Sequence, residues 1–342
     1  MPTLGVIGKP NVGKSTFFSA ATLATVEIAN YPFTTKKANL GITYVRTECV
    51  CKEFNVTDTP ANSLCVNGTR LVPVKLIDCP GLVSGAWQGR GLGNQFLDEV
   101  RKADALLLVV DASGSTDLEG RPGSPGSYDP SEDVRFLQQE FDMWLLQIIK
   151  KDWDRLAKKS EVSKETVPVL LEEKLSGLQI TRQSVATAVS ELDLASKQAS
   201  RWTDEDLTNF TSYLRKVSKP IVIVANKIDV SNADRYLERL KETGYDVIPC
   251  SAEGELALRL AAEKGLINYT PGDNSFRTVK EDELTDKQKN GLVRLRERVF
   301  SKYQSTGVQQ ANDFAYLKIL KMIGVFPVED HEKLTDHKGR VL

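Results

Sequence analysis

Three short stretches carry residues whose types and spacing could do chemistry. Residues 8–15 read Gly-Lys-Pro-Asn-Val-Gly-Lys-Ser, which fits the phosphate-loop pattern G-x-x-x-x-G-K-[ST]. Gly8 and Gly13 supply backbone angles closed to other residues. Successive N–H groups from Asn11, Val12 and Gly13 to Thr16 can then turn inward around a phosphate. Lys14 suits the β- and γ-phosphates of a nucleotide, and the Ser15 hydroxyl suits Mg2+. The second stretch is Asp78-Cys79-Pro80-Gly81. Its carboxylate can hold Mg2+ through water, and the Gly81 N–H can bond a γ-phosphate. The third is Asn226-Lys227-Ile228-Asp229. The Asp229 carboxylate can accept two bonds from a guanine edge while the Lys227 stem lies over the ring. Adenine lacks that donor pair and would leave a buried Asp229 unpaired. Ser251-Ala252 adds backbone N–H groups for the guanine O6.

Elements that could position these stretches surround them. Apolar runs at 4–7, 72–77, 105–111, 220–225 and 247–250 read as strands, each ending where a candidate loop begins. A helix-forming stretch starts at Ser15 and would point its positive end at a bound anion. Strands alternating with helices, with ligand loops at carboxyl ends, predict an α/β three-layer sandwich on a mostly parallel sheet. Ser113 to Ser127 is rich in Gly, Pro and Ser and reads as a linker. Helical spacing then follows in Val134, Leu137, Phe141, Leu145 and Ile148, in Leu171, Leu175 and Leu178, and in Val185, Val189 and Leu192. This predicts an inserted α-helical subdomain, pictured as a hairpin or coiled coil over 126–215. It interrupts a nucleotide domain over 1–125 and 216–321. Lys150, Lys151, Lys158 and Lys159 read as a solvated face, with RNA as the alternative. Asn30 to Lys37 reads as a polar loop in which Thr34 or Thr35 could reach Mg2+.

Net charge is −1 with 27% charged residues, so bulk electrostatics demand neither nucleic acid nor a membrane. No stretch is long and apolar enough to span a bilayer, and Met1 to Leu4 lacks the regions of a signal peptide. The expectation is a soluble, cytoplasmic monomer. Cys79 and Cys250 read as reduced core residues. Cys49, Cys51 and Cys65 cluster in one strand-loop-strand region, but Cys-x-Cys plus one distant Cys lacks the paired spacing of a zinc site. Free thiols are favoured over a metal site. A Cys51–Cys65 disulfide is the alternative for a hyperthermophile source. His331 and His337 carry no assigned chemistry.

Gly8 to Thr16, Asn30 to Thr35, Asp78 to Gly81, Gly89 to Asn94, Asn226 to Asp229 and Ser251-Ala252 occur in order, and together they resemble the Obg-related translation-factor GTPases, most closely the YchF branch. The resemblance implies hydrolysis of GTP, or of ATP as in some members, with Mg2+ and association with ribosomes or RNA. The retained Asp229 favours GTP and GDP. The implied catalytic set is Lys14, Thr35, Gly81 and Asn11. The implied metal ligands are Ser15, Thr35 and Asp78. Leu82 stands where a water-orienting Gln would be, and K+ held by the Asn11 amide is one candidate stabiliser. Equally, Asn11 could only bond the loop backbone. Residues 322–342 resemble the start of a β-rich TGS domain, here cut short. A nucleotide-dependent ribosome-binding module with incidental turnover is the alternative to a hydrolysing switch.

Overall fold

The computed structural model describes residues 2–22, 40–56, 58, 60, 63–81, 85–88, 99–163, 165–330, 332–333 and 335–339. Thr34, Thr35, Leu82 and the stretch 89–94 with Arg90 lie outside them, as does His331. Strands β1 (Thr3–Ile7), β4 (Thr69–Asp78), β5 (Ala105–Asp111), β6 (Ile221–Asn226) and β7 (Val247–Pro249) run parallel in the order β4-β1-β5-β6-β7. Strand β2 (Leu40–Glu48) closes the β4 edge antiparallel, and β3 (Leu64–Val66) pairs with the first residues of β4. Every residue of β5 and β6 is buried, because helices cover both faces of the sheet.

On one face, α1 (Lys14–Thr22), α8 (Ala252–Glu263) and α10 (Val308–Asp313) bury Phe17, Ala20, Ala252 and Ala311, joined by Tyr316 from the π-helical turn after α10. On the other face lie α2 (Ser131–Lys150), α7 (Ala233–Lys241) and α9 (Asp286–Leu295), with Leu137, Phe141, Leu240 and Leu295 in the core. A capping box between Thr285 and Gln288 fixes the start of α9. Leu292, Leu295, Val299 and Phe300 pack into the core on this face of the sheet. Gln309 Nε2 donates to Tyr44 O at 2.8 Å and Arg46 N to Asp313 Oδ1 at 2.8 Å, so α10 also locks the β2 edge.

Five helices fill the insert, more than a single hairpin: α2, α3 (Trp153–Ser163), α4 (Val167–Leu175), α5 (Arg182–Glu191) and α6 (Asp204–Ser218). Their separate core is built on Trp153, Trp202 and Phe210, with ring centroids 4.9 and 5.4 Å apart in sequence. Helix α2 belongs to both cores. Val134, Leu137 and Phe141 in its first half face the sheet, and Leu145, Leu146 and Ile149 face the insert. Lys150 pairs with Asp204 at 2.7 Å and Lys159 with Glu165 at 3.0 Å, which fits a solvated lysine face.

The stretch 113–127 is not a linker. It folds back against residues 9–11, because buried Asp111 at its root gathers its hydroxyls and its own carbonyls accept from Lys9 and Asn11. Cys79 and Cys250 are buried free thiols, and Cys51 and Cys65 are free as well.

Candidate nucleotide site

Ligand loops collect where the parallel strands end at their carboxyl side, which is where such sheets open a crevice. Gly8, Asn11, Val12, Gly13, Lys14, Ser15 and Thr16 connect β1 to α1 there. Gly8 has φ +148° and Gly13 φ +94°. A Cβ on Gly8 would stand 2.4 Å from Val109 O, and one on Gly13 would stand 2.2 Å from Asn226 Nδ2. Both glycines are thus required by space as well as by backbone angle. Lys14 is half-buried and has no hydrogen bond or ion pair among the described residues.

Asp78 ends β4 beside this loop. The Ser15 hydroxyl donates to Asp78 Oδ2 at 3.3 Å. Asp78 Oδ1 is buried with no hydrogen-bond partner among the described residues. Burial pushes the Asp78 carboxyl above its usual range, against the nearby Lys14 charge and the Ser15 hydroxyl. An orphaned carboxylate oxygen next to a hydroxyl is a donor set that suits Mg2+ or its bound water. The residues present therefore fit that ion. Gly81 sits against the loop, its Cβ position 3.3 Å from Pro10 Cγ.

The base-reading residues join the same edge. Asn226 Nδ2 donates to Val12 O at 2.9 Å, and its Oδ1 accepts from Ala252 N at 3.0 Å. One amide thereby ties the phosphate loop to the Ser251-Ala252 loop. Ser251 Oγ donates to Asp229 Oδ1 at 3.0 Å, which aims the carboxylate. Arg294 from α9 donates to Asp229 O at 3.0 Å and lies 3.4 Å from its Oδ2. The expected site residues that the structure describes lie along this one sheet edge, and Thr35 falls outside the described residues.

Asp111, Lys9, Asp133 and Glu140 were missed by sequence reasoning. Asp111 ends β5 and accepts from Ser113, Ser115, Thr116 and Lys227, the last at 2.8 Å. Burial alone would raise its pKa, but these donors outweigh it and hold it below the usual carboxylate range. Lys227 takes φ +64° to make this contact. Lys9, inside the phosphate loop, donates to Thr116 O and to Asp133 Oδ1, both at 2.8 Å, and lies over the Tyr128 ring at 3.9 Å. Glu140 on α2 accepts from Gly85 N at 2.8 Å and Trp87 N at 3.1 Å, just beyond Gly81. An Asp at a strand's carboxyl end was a readable signal for Asp111. Nothing in the sequence marked the other three.

The family described as 50S ribosome-binding GTPase matches residues 3–151, and the family described as Obg-like GTPase YGR210-like, G4 motif-containing domain, matches residues 224–330. An uncharacterized GTP-binding protein of Methanocaldococcus jannaschii is 46% identical, across 100% of this chain and 85% of that protein. The ribosome-binding ATPase YchF of Bacillus subtilis is 32% identical, across 68% of this chain and 58% of that protein. The crystal structure of a GTP binding protein from Pyrococcus horikoshii superposes with a TM-score of 0.77 at 37% identity, covering 100% of this chain and 83% of that one. No helix among the described residues is long and apolar enough to cross a membrane. With its ligand loops on one sheet edge and these matches along its length, the chain belongs to the Obg-like GTPases, as a GTP-binding protein of the phosphate-loop class.

Proposed function

We propose that the protein hydrolyses GTP to GDP and phosphate with Mg2+ and serves as a nucleotide-dependent switch on the ribosome or on RNA. The observation that carries this reading is the convergence of Lys14, the orphaned Asp78 oxygen and the Asp229 carboxylate on one sheet edge. In it, Lys14 and the N–H groups of residues 13–16 hold the β- and γ-phosphates. Ser15, Asp78 and Thr35 hold Mg2+, which when bound neutralises charge on the phosphate oxygens. The Gly81 N–H takes the γ-phosphate, and Asp229 reads guanine with Lys227 over the ring. The partner class rests on the similarity to the family described as 50S ribosome-binding GTPase and to the ribosome-binding ATPase YchF of Bacillus subtilis. Single-turnover GTP hydrolysis with and without ribosomes is the test. Acceleration by ribosomes supports the switch. Slow turnover that ribosomes leave unchanged supports a binding module instead.

The ATPase name of the YchF relative makes adenine the competing base. Asp229→Asn replaces one acceptor by a donor and should weaken GTP binding by about 1–3 kcal/mol, the cost of a spoiled buried partner. Calorimetry of the wild type and this variant against GTP, GDP, ATP and ADP reads it directly. Equal wild-type affinities for ATP and GTP would overturn the guanine assignment.

Asn11 bears on how charge is stabilised during hydrolysis. Its Nδ2 donates to Gly120 O at 2.8 Å, so the amide does bond backbone, that of the 113–127 loop. Its Oδ1 has no partner among the described residues and is left for a K+ ion beside the phosphates. GTP turnover should be faster in KCl than in NaCl at matched ionic strength, which cancels general screening. Asn11→Ala should erase the difference. Identical wild-type rates in the two salts would remove K+ from the mechanism. Residues 322–342 are read as resembling the start of a TGS domain, and within them Ile323 and Val325 are 80% and 73% exposed.

A further inference from the structure

At the far end of the sheet from the nucleotide edge, four ligating side chains meet. Strand β2 pairs antiparallel with β4 so that Glu48 lies opposite Thr69, nine residues along β4 from Asp78. At about 3.3 Å per residue this is roughly 30 Å from the phosphate loop. Directly after Glu48 the chain turns, with Lys52 N donating to Cys49 O at 3.2 Å. This turn carries both Cys49 and Cys51. Cys49 N donates to Gly68 O at 3.0 Å, which fastens it to the β3–β4 hairpin, and Cys65 comes from β3. Asp58 arrives from the loop between them. The three Sγ atoms and an Asp58 carboxylate oxygen all lie within 4.8 Å of one another.

These positions match the demands of a tetrahedral thiolate site. Zn–S bonds of about 2.3 Å put two sulfurs of a tetrahedron about 3.8 Å apart. Cys51 Sγ and Cys65 Sγ stand at 3.7 Å, far beyond a disulfide bond. Cys49 and Cys51 are buried, and the Asp58 side chain is only 4% exposed. Arg70 ion-pairs with Asp58, and its Nη2 lies 3.3 Å from Cys49 Sγ. Three thiolates and a carboxylate around one Zn2+ would carry two surplus negative charges. The buried Arg70 guanidinium offsets one of them, as a second layer of charge around a metal does.

The geometry points to a structural zinc site formed by Cys49, Cys51, Cys65 and Asp58, which staples the β2–β3 connection to the β3–β4 hairpin. All four positions are taken by protein, so the site is closed and has no open position for substrate. On loading, the three thiols give up their protons to solvent as the Zn–S bonds form, and no electrons move.

The test uses the full chain, purified under reductant, stripped with chelator and titrated with Co2+ alone and then Zn2+. One equivalent of Co2+ should bind with a thiolate-to-cobalt charge-transfer band in the near ultraviolet, and Zn2+ should abolish that band. Co2+ at Ser15 and Asp78 has oxygen ligands and gives no such band. Cys51→Ser and Cys65→Ser should each remove the band while GTP binding, read by calorimetry, stays as in the wild type. Asp58→Asn should keep a thiolate band but weaken Co2+ binding by about 10- to 100-fold. That variant carries the test if the cysteine variants do not fold. The proposal fails if the reduced wild type gives no thiolate band, or if the band survives in the Cys51→Ser/Cys65→Ser double variant. It fails equally if Asp58→Asn binds Co2+ as tightly as the wild type. A Cys51–Cys65 disulfide, seen by mass spectrometry in protein that takes up no metal after reduction, would also overturn it.

Discussion

Lys14→Ala should abolish productive GTP binding and leave the fold intact. Lys14 has no hydrogen bond or ion pair among the described residues, so its removal takes nothing from the core. Its ammonium lies near Asp78, beside the glycine turn that cradles phosphate, and a hydrogen bond to a charged group is worth about 1.5–3 kcal/mol. Loss of the full charge on a triphosphate should exceed that, giving at least about a 100-fold fall in GTP affinity. Calorimetry reads the affinity, and circular dichroism with thermal melting reads the fold. A variant that hydrolyses GTP at the wild-type rate would mean that the site is elsewhere.

Asp133→Ala, by contrast, should cost stability. Lys9 and Asp133 form an ion pair at 2.8 Å with side chains 2% and 5% exposed. Burial pushes the Asp133 carboxyl up, to about 6, and pulls the Lys9 ammonium down, each against the other's charge. Removing one partner strands the other charge in the interior, at about 3–5 kcal/mol. The Lys9→Met/Asp133→Ala double variant should be more stable than Asp133→Ala alone, because no lone charge remains. Denaturant titration followed by tryptophan fluorescence measures all three proteins. A single variant within about 1 kcal/mol of the wild type would show that the pair is not buried as described.

The site was legible in the sequence where its parts are contiguous. Gly8 to Thr16 and Asn226 to Asp229 each state strand, turn and ligand chemistry within a dozen residues, and the apolar runs β5 and β6 announced a sheet covered on both faces. What escaped reading depends on residues far apart in the chain. Lys9 meets Asp133 across 124 positions, and Lys227 meets Asp111 across 116. Composition also misled. Gly, Pro and Ser in 113–127 report backbone freedom, not the carbonyls at Thr116 and Gly120 that accept from Lys9 and Asn11. The cysteine spacing looked incomplete for the same reason. Asp58 has no periodic relation to Cys49, Cys51 and Cys65, and only the folded loop brings it to them.

Helix α2 touches the nucleotide edge twice. Asp133 grips Lys9 of the phosphate loop, and Glu140 holds the backbone of Gly85 and Trp87 just past Gly81. The two carboxylates are seven residues apart, hence on one face of a helix about 30 Å long, whose far half is built into the insert core. Any difference at those two contacts between GTP and GDP would therefore bear on the helix that roots the insert. Thermodynamic reciprocity then works in both directions. If exchanging GTP for GDP alters the affinity of the insert for a partner by some factor, that partner must alter the GTP-over-GDP preference by the same factor. A docked partner would in this way set which nucleotide the protein retains, without contacting the nucleotide itself.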